Sequence, residues 1–293
     1  MASVRQNPWL VLVRPANLVT SAADALAGMA LAGAFGPPTL QHLALVGASV
    51  SLYAGGIVYN DVCDAEIDAV ERPERPIPSG QVSRRTAALY GAGWLGLGIG
   101  LAAFVSWTSA LLATGVAVAA LTYDRFAKPH PVFGPLVMGI CRGLNLLVGV
   151  SLVPEALASV APVAVLPVAF VAAITLTSRG EVHGNNRGSI LAAMALDAFI
   201  VVGFVVLHAV GVLKGTAAWW FVAGWAWANA SAKWRAYQDN QPANIMAAVR
   251  TGVLSLIPLD AAYVAGAAGL LPGLLVLSLL PLSLWLGQRF RVT

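Results

Sequence analysis

From Ala16 onward the chain is a succession of apolar stretches joined by short polar connections. They fall near 16–34, 40–60, 85–106, 108–123, 132–152, 160–178, 188–212, 216–233, 251–270 and 272–289. About 20 such residues, as a helix, cross the ~30 Å hydrocarbon core of a bilayer. Backbone N–H and C=O groups find no water there, so each stretch must satisfy them internally as a helix. A soluble domain is excluded: 58% of the residues are hydrophobic and 10% are charged, against roughly 25% charged in soluble proteins. The fourth stretch is short, and only Leu271-Pro272-Gly273 separates the last two. The expectation is an all-α, polytopic membrane bundle of nine or ten transmembrane helices around a central cavity, with 1–293 as one integral membrane domain. The opening MASVRQNPWLVLVRPAN has no small-residue cleavage site after a short apolar run, so no removable signal is expected.

Basic residues set the orientation. With the N-terminus in the cytoplasm, 15 of the 17 basic residues fall in cytoplasmic segments. These are Arg5 and Arg14, then Arg72, Arg75, Arg84 and Arg85, then Arg125 and Lys128. Arg179 and Arg187 follow, then Lys233, Arg235 and Arg250, then Arg289 and Arg291. Lys214 lies in an opposite-side connection and Arg142 within a span. This is the positive-inside pattern, and it favours an even number of spans. It also accounts for the net charge of +4 without a nucleic-acid partner. The localisation expected is an integral membrane protein, in the inner or plasma membrane of a bacterium, with its chemistry on the cytoplasmic side. Cys63 and Cys141 are too few for a disulfide framework and lack metal-site spacing. Trp219, Trp220, Trp225, Trp227 and Trp234, around the eighth stretch, read as an interfacial belt and lipid-facing packing.

Between Asn60 and Gly80 the chain reads NDVCDAEIDAVERPERPIPSG. If this stretch is helical, offsets of three and four put Asn60, Asp61, Asp64 and Asp68 on nearly one face. Carboxylates stacked so closely repel unless something multivalent and positive sits among them. Mg²⁺ is held by one or two carboxylates plus the oxygens of a substrate phosphate. Arg72 and Arg75, just beyond, suit the remaining phosphate oxygens through forked, charge-assisted hydrogen bonds. The block reads as a diphosphate–metal site at a membrane surface. Two further polar loops, YDRFAKPH at 123–130 and SRGEVHGNNR at 178–187, follow the fourth and sixth stretches and fall on the same side.

The block closely resembles the first aspartate-rich motif of the UbiA-type intramembrane prenyltransferases. Arg14-Pro15-x-Asn17 resembles that family's opening, Tyr123 with Lys128 its tyrosine–lysine element, and Arg142-Gly143-Leu144-Asn145 is also similar. The resemblance extends over most of the chain. It implies a helical bundle open laterally to lipid and a Mg²⁺-dependent transfer of a prenyl group from an isoprenoid diphosphate to an acceptor. The partners implied are an isoprenoid diphosphate such as geranylgeranyl or farnesyl diphosphate, an unidentified acceptor and the lipid bilayer. Metal binding falls to Asp61, Asp64, Asp68 and Glu181, and Tyr123 to the face of the forming carbocation. Substrate contact falls to Asn17, Asn60, Arg72, Arg75, Lys128, Arg142, Asn145, Arg179, His183 and Asn185. The third loop departs from the family, whose second motif has acids at i and i+4; here those positions are Glu181 and Asn185. A second Mg²⁺ is then held more weakly, or replaced by phosphate contacts from Arg179 and His183. The SRGEVHG form is similar to the EboC-like branch.

Several of these residues carry a second reading. Arg72, Arg75 and Lys128 also satisfy the positive-inside rule, and Tyr123 also serves as an interfacial anchor. His183 is either a general base or a solvated loop residue. Arg142, about ten residues into its span, needs a water-filled cavity or an acid, and Asp24, Asp197 and Asp260 are the acids within spans that face inward to meet such a charge. A lipid-diphosphate binding or transport protein with a degraded second motif, and a diphosphate lyase or cyclase, remain alternatives to the transferase.

Overall fold

The computed structural model describes residues 7–181 and 184–290, and all regular structure among them is helical. A short helix α1 (Pro8–Val13) meets α2 (Pro15–Leu31) at Arg14, whose left-handed backbone (φ 47°) turns the chain. Pro15 then opens α2, where its missing N–H costs no hydrogen bond. Thr39 caps α3 (Leu40–Cys63), with His42 closing a capping box. After a break at Asp64 comes α4 (Ala65–Glu71). Ser83 and Ser106 cap α5 (Arg84–Val105) and α6 (Trp107–Thr122) through their side chains. A π-helical turn, Tyr123–Ala127, extends α6 and precedes α7 (Phe133–Val150). The helix α8 (Leu157–Val160), between two 3-10 turns, leads into α9 (Val165–Ser178). Then come α10 (Arg187–Ala209) and α11 (Ala218–Gln238). Two interrupted pairs finish the bundle, α12 (Pro242–Leu254) with α13 (Leu256–Ala268) and α14 (Leu270–Leu277) with α15 (Leu279–Arg289).

Among the described residues eight of these segments are long and apolar enough to cross a membrane. The 17-residue α2 and the Trp-rich α11 lie outside that set but pack into the same cores. Counted with them, ten long helical segments lie among the described residues, within the nine or ten expected from the apolar stretches. Gly269, at φ 102°, makes the turn between the last two, and Pro272 sits in the first turn of α14.

Two boundaries differ from the sequence expectation. The ninth stretch was expected at 251–270, yet its helix starts at Pro242 and breaks at Ser255. Pro258 has no N–H for the Leu254 carbonyl, so the helix yields there. Arg250 therefore belongs to a helix rather than a loop. Lys233 likewise lies inside α11, 1% exposed, paired with Asp197 of α10 at 2.5 Å and placed 5.7 Å from the Phe170 ring. A neutralising partner lets a lysine extend an apolar helix that hydropathy alone would end. The tryptophans divide too: Trp220, Trp227 and Trp234 are exposed, whereas Trp225 is buried edge-on against Phe170.

α2 and α7 approach each other closely at two glycines. A Cβ on Gly28 would lie 2.1 Å from the Leu146 carbonyl oxygen, and one on Gly149 would lie 2.2 Å from that of Ala25. Lipid tails are as apolar as leucine, so helices in a bilayer associate through close contact and polar bonds, and small residues permit both. Gly149→Ala is expected to cost about 1–3 kcal/mol through overpacking, read as a lower unfolding midpoint in detergent. Gly93→Ala, with nothing within 4 Å, should leave the midpoint unchanged or slightly raised.

Candidate active site

A cavity of about 480 Å³ runs between α2, α3, α6, α7, α9 and the α12–α13 pair. At its loop end stand Asp64, Arg72, Arg75, Asp124, Lys128 and Glu181. Its middle is walled by Leu52, Ile57, Val116, Val171, Ile174 and Val253, among others. Deeper in, Arg142 and Asn145 of α7 border the same space. Nine residues into its helix, Arg142 sits roughly 14 Å from the loop end. The cavity thus has a charged mouth, an apolar middle and a second polar pole.

The mouth is built by the loop after α4. Ile77 and Val82 of RPIPSGQV are buried with Leu12, Val13 and Val62, and this apolar anchor fixes the loop over the end of α3. Arg75 is thereby held inward, donating to Asp68 at 2.7 Å and to Asp61 at 3.4 Å. Arg14 reaches Asp61 at 2.5 Å. Asp61 and Asp68 are 5% and 2% exposed, so each carboxylate is buried only because a guanidinium accompanies it. Arg72 is looser, its side chain 36% exposed and 3.8 Å from Asp68. Asp64, at the helix break, pairs with Lys128. Burial pushes the Glu181 carboxyl above the usual carboxylate range, and the Arg72 guanidinium draws it partly back.

Asn17, Asn60, Asp64, Arg72, Arg75, Tyr123, Lys128, Arg142, Asn145 and Glu181 border one cavity. Asp61 and Asp68 stand behind the mouth, engaged by Arg14 and Arg75. Arg179 turns away, donating to the His130 carbonyl at 2.8 Å. Asn185 is exposed, with φ 54°, and does not border the cavity. His183 lies outside the described residues. Among the charged and aromatic lining residues, Arg14, Tyr53 and Asp124 were given no catalytic, metal or substrate role from the sequence. Asp124 accepts from the Asn60 amide at 2.8 Å; its place directly after Tyr123 was the available signal. Arg14 stands out locally only within the Arg14-Pro15-x-Asn17 opening, and its partner lies 47 residues away.

The sequence profile of the UbiA prenyltransferase family matches residues 22–249. The chain belongs to the UbiA prenyltransferase family. Among curated proteins, the digeranylgeranylglyceryl phosphate synthase of Metallosphaera sedula is 38% identical over 145 residues, 49% of this chain and 50% of that one. The chain thus spans about half the length of that curated relative, and the same holds for its Methanopyrus kandleri counterpart at 52%. Two solved structures share the fold. A UbiA homolog from Aeropyrum pernix K1 superposes with a TM-score of 0.71 at 22% identity, over 84% of this chain and 96% of that one. A UbiA homolog from Archaeoglobus fulgidus bound to GPP and Mg²⁺ gives 0.62 at 15% identity, over 93% of this chain and 100% of that one.

The pairing at the mouth of this UbiA-family bundle predicts unequal roles for its arginines in stability. Arg75→Ala leaves two buried carboxylates short of a partner and is expected to cost about 3 kcal/mol. Arg72→Ala removes a long contact made by a partly solvated side chain and should cost less than about 1 kcal/mol. Unfolding followed by tryptophan fluorescence in detergent checks the difference.

Proposed function

We propose that this protein transfers a prenyl group from an isoprenoid diphosphate, such as geranylgeranyl or farnesyl diphosphate, to an acceptor within the membrane, with Mg²⁺ as cofactor. One observation carries the reading: three carboxyls, Asp64, Asp124 and Glu181, and three cations, Arg72, Arg75 and Lys128, meet at one end of a cavity whose middle is apolar. Membership of the UbiA prenyltransferase family supports it, as do the name of the Metallosphaera relative and the GPP and Mg²⁺ bound to the Archaeoglobus homolog. We further read 1–293 as one domain whose mouth faces the cytoplasm, on the strength of the basic loops at that end.

The residues fit a hard cation. Asp64, Glu181, Asp124 and the carbonyl of Asn60 offer oxygen only, the donor Mg²⁺ prefers. Among the described residues no three acidic, histidine or cysteine side chains are gathered closely enough to hold a metal unaided. This suits an ion that arrives with phosphate oxygens already in its shell. Asp61 and Asp68, now paired with Arg14 and Arg75, would add carboxylate oxygens if those arginines engaged the diphosphate instead. Bound there, Mg²⁺ supplies charge neutralisation for the leaving group.

The protein's own side chains do the rest. Lys128 exchanges Asp64 for a phosphate oxygen, and Arg72 and Arg75 add forked hydrogen bonds to the departing diphosphate. Tyr123 stands beside the carbon that loses it. The apolar middle of the cavity keeps water from the allylic cation, and the prenyl chain extends among the helices. An alcohol on a glycerol-based lipid is the acceptor class supported by the name of the curated relatives. A binding protein with a degraded second motif is favoured by one observation, that Glu181 alone of the Glu181–Asn185 pair borders the cavity.

Purified protein with Mg²⁺ and geranylgeranyl diphosphate separates these readings. Pyrophosphate released only when an acceptor is present is the expected result; release without acceptor marks a lyase, and binding without release a carrier. Asp64→Ala should lower turnover about a hundredfold or more while the protein remains folded, and chelation of Mg²⁺ should do the same. Undiminished turnover by Asp64→Ala overturns the site assignment.

A further inference from the structure

Below its charged mouth the cavity stops at one depth on four sides. Its lining runs along α3 from Asn60 to Leu52 and along the extended α6 from Tyr123 to Val116. It runs along α9 from Ser178 to Val171, and along the α12–α13 pair from Val249 to Leu256. Each of these stretches advances by seven or eight residues, which is about 10–12 Å of helix. Leu52, Val116 and Leu256, at their inner ends, are 1%, 6% and 7% exposed.

No path for a hydrocarbon chain continues beyond this floor. Arg142 lies there 2.6 Å from Asp24, and Asn145 donates to the same carboxylate at 2.7 Å. Behind them α2 and α7 meet at Gly28 and Gly149, where even a methyl group would lie 2.1 or 2.2 Å from a carbonyl oxygen. The seams around the floor are shut as well. A Cβ on Gly143 of α7 would come 2.6 Å from the Val168 side chain of α9, and one on Gly252 of α12 would come 2.8 Å from Ile174. Ser21 of α2 and Ser49 of α3 exchange hydroxyl-to-carbonyl hydrogen bonds, at 2.9 and 2.7 Å. Between α3 and α6, a Cβ on Gly56 would lie 3.4 Å from the Ala120 methyl. An interior packed this closely resists added methylenes.

The reach of a carbon chain is fixed by its bonds. Three main-chain bonds span about 3.5 Å when extended, so the four-bond repeat of a prenyl chain spans roughly 4.5 Å. A chain that starts beside Tyr123 and Asn60 meets the floor within its third repeat, whereas four repeats need about 18 Å. We propose that Leu52, Val116, Val171 and Leu256 form a floor that sets the length of the donor, so that the site favours prenyl diphosphates of two or three isoprene units over those of four. This inference rests on the transferase reading and deepens it by naming the length class of the donor. A four-unit donor enters with its tail folded back towards the mouth and is bound more weakly.

The test uses the purified full chain in detergent with Mg²⁺ and three inert donors: geranyl, farnesyl and geranylgeranyl thiolodiphosphate. Each is made to displace tritiated geranyl thiolodiphosphate, at equal mole fraction in the micelle. The farnesyl analogue should bind about tenfold more tightly than the geranylgeranyl one, the penalty of forcing a further unit into a packed interior. Val116→Ala deepens the floor and should narrow that gap. Val171→Phe raises the floor and should weaken the farnesyl analogue about tenfold relative to the geranyl one. Equal or tighter binding of the geranylgeranyl analogue by the unaltered protein overturns the proposal whatever the variants do, because the tail then leaves the bundle sideways. A folded Val171→Phe protein that keeps the unaltered ratio of farnesyl to geranyl binding overturns it as well. Failure of all three analogues to bind counts against the transferase reading itself, and the inference falls with it.

Discussion

Arg142 of α7 lies between Asp24 of α2 and Asp260 of α13. A charge at this depth in a bundle costs several kcal/mol without a partner, so the trio obliges three helices far apart in sequence to meet at one level. Helix association in lipid has little hydrophobic drive of its own, and apolar surface alone does not dictate which faces turn inward. The glycine contact between α2 and α7 brings the backbones close enough for the Asn145 amide to reach Asp24. On the far side, Lys233 and Asp197 tie α11 to α10 in the same way. Both pairs specify the arrangement of helices that are otherwise interchangeably apolar.

The charges at the mouth are held differently. Lys128 and Arg72 keep about a third of their side-chain surface in solvent, whereas Arg142 keeps 6%. A pair at a wet rim contributes little net stability and exchanges partners at little cost; a pair in the dry interior does neither. Arg75 and Arg14 stand between these limits, holding Asp61 and Asp68 at the edge of the apolar region. This gradient separates the groups able to follow a ligand from those that keep the cavity's shape. It also explains why the RPIPSG segment combines arginines with Ile77: the buried isoleucine pins the loop so that Arg75 stays directed inward.

Much of this was legible in the sequence because a bilayer enforces simple rules. The apolar stretches and the basic asymmetry gave the helices and their connections, and the 60–80 block gave the mouth. Where the reading strayed, a compensating partner was the cause. Lys233 ended the eighth stretch on hydropathy, but Asp197, 36 residues earlier, carries the helix through it. The ninth helix began sooner than its apolar core, because Arg250 is exposed on its surface and needs no partner to be helical. Arg14 was legible only as part of an opening motif, since the ion pair that gives it a place in the cavity spans 47 residues. Asn185 follows the family spacing for a cavity residue, yet the left-handed turn at its position carries it outside.

The π-helical turn at Tyr123–Ala127 is the feature no sequence rule supplied, and the mouth depends on it. Positions five apart on an α-helix point roughly 140° away from each other, so Tyr123 and Lys128 would not share a wall. Here the Lys128 N–H donates to the Tyr123 carbonyl at 2.9 Å, one residue beyond the α-helical pattern. That widened turn stacks the two residues nearly in line, and Tyr123, Asp124 and Lys128 all border the cavity. Asp124 thereby stands beside Asn60, where the bundle gains a carboxyl, while the third loop offers an amide at Asn185 and directs it elsewhere. The acidic complement of the mouth is thus shared between the ends of α3 and α6 and Glu181. A change of one hydrogen-bond register at the end of α6 thus brings Asp124 into the cavity wall beside Asn60.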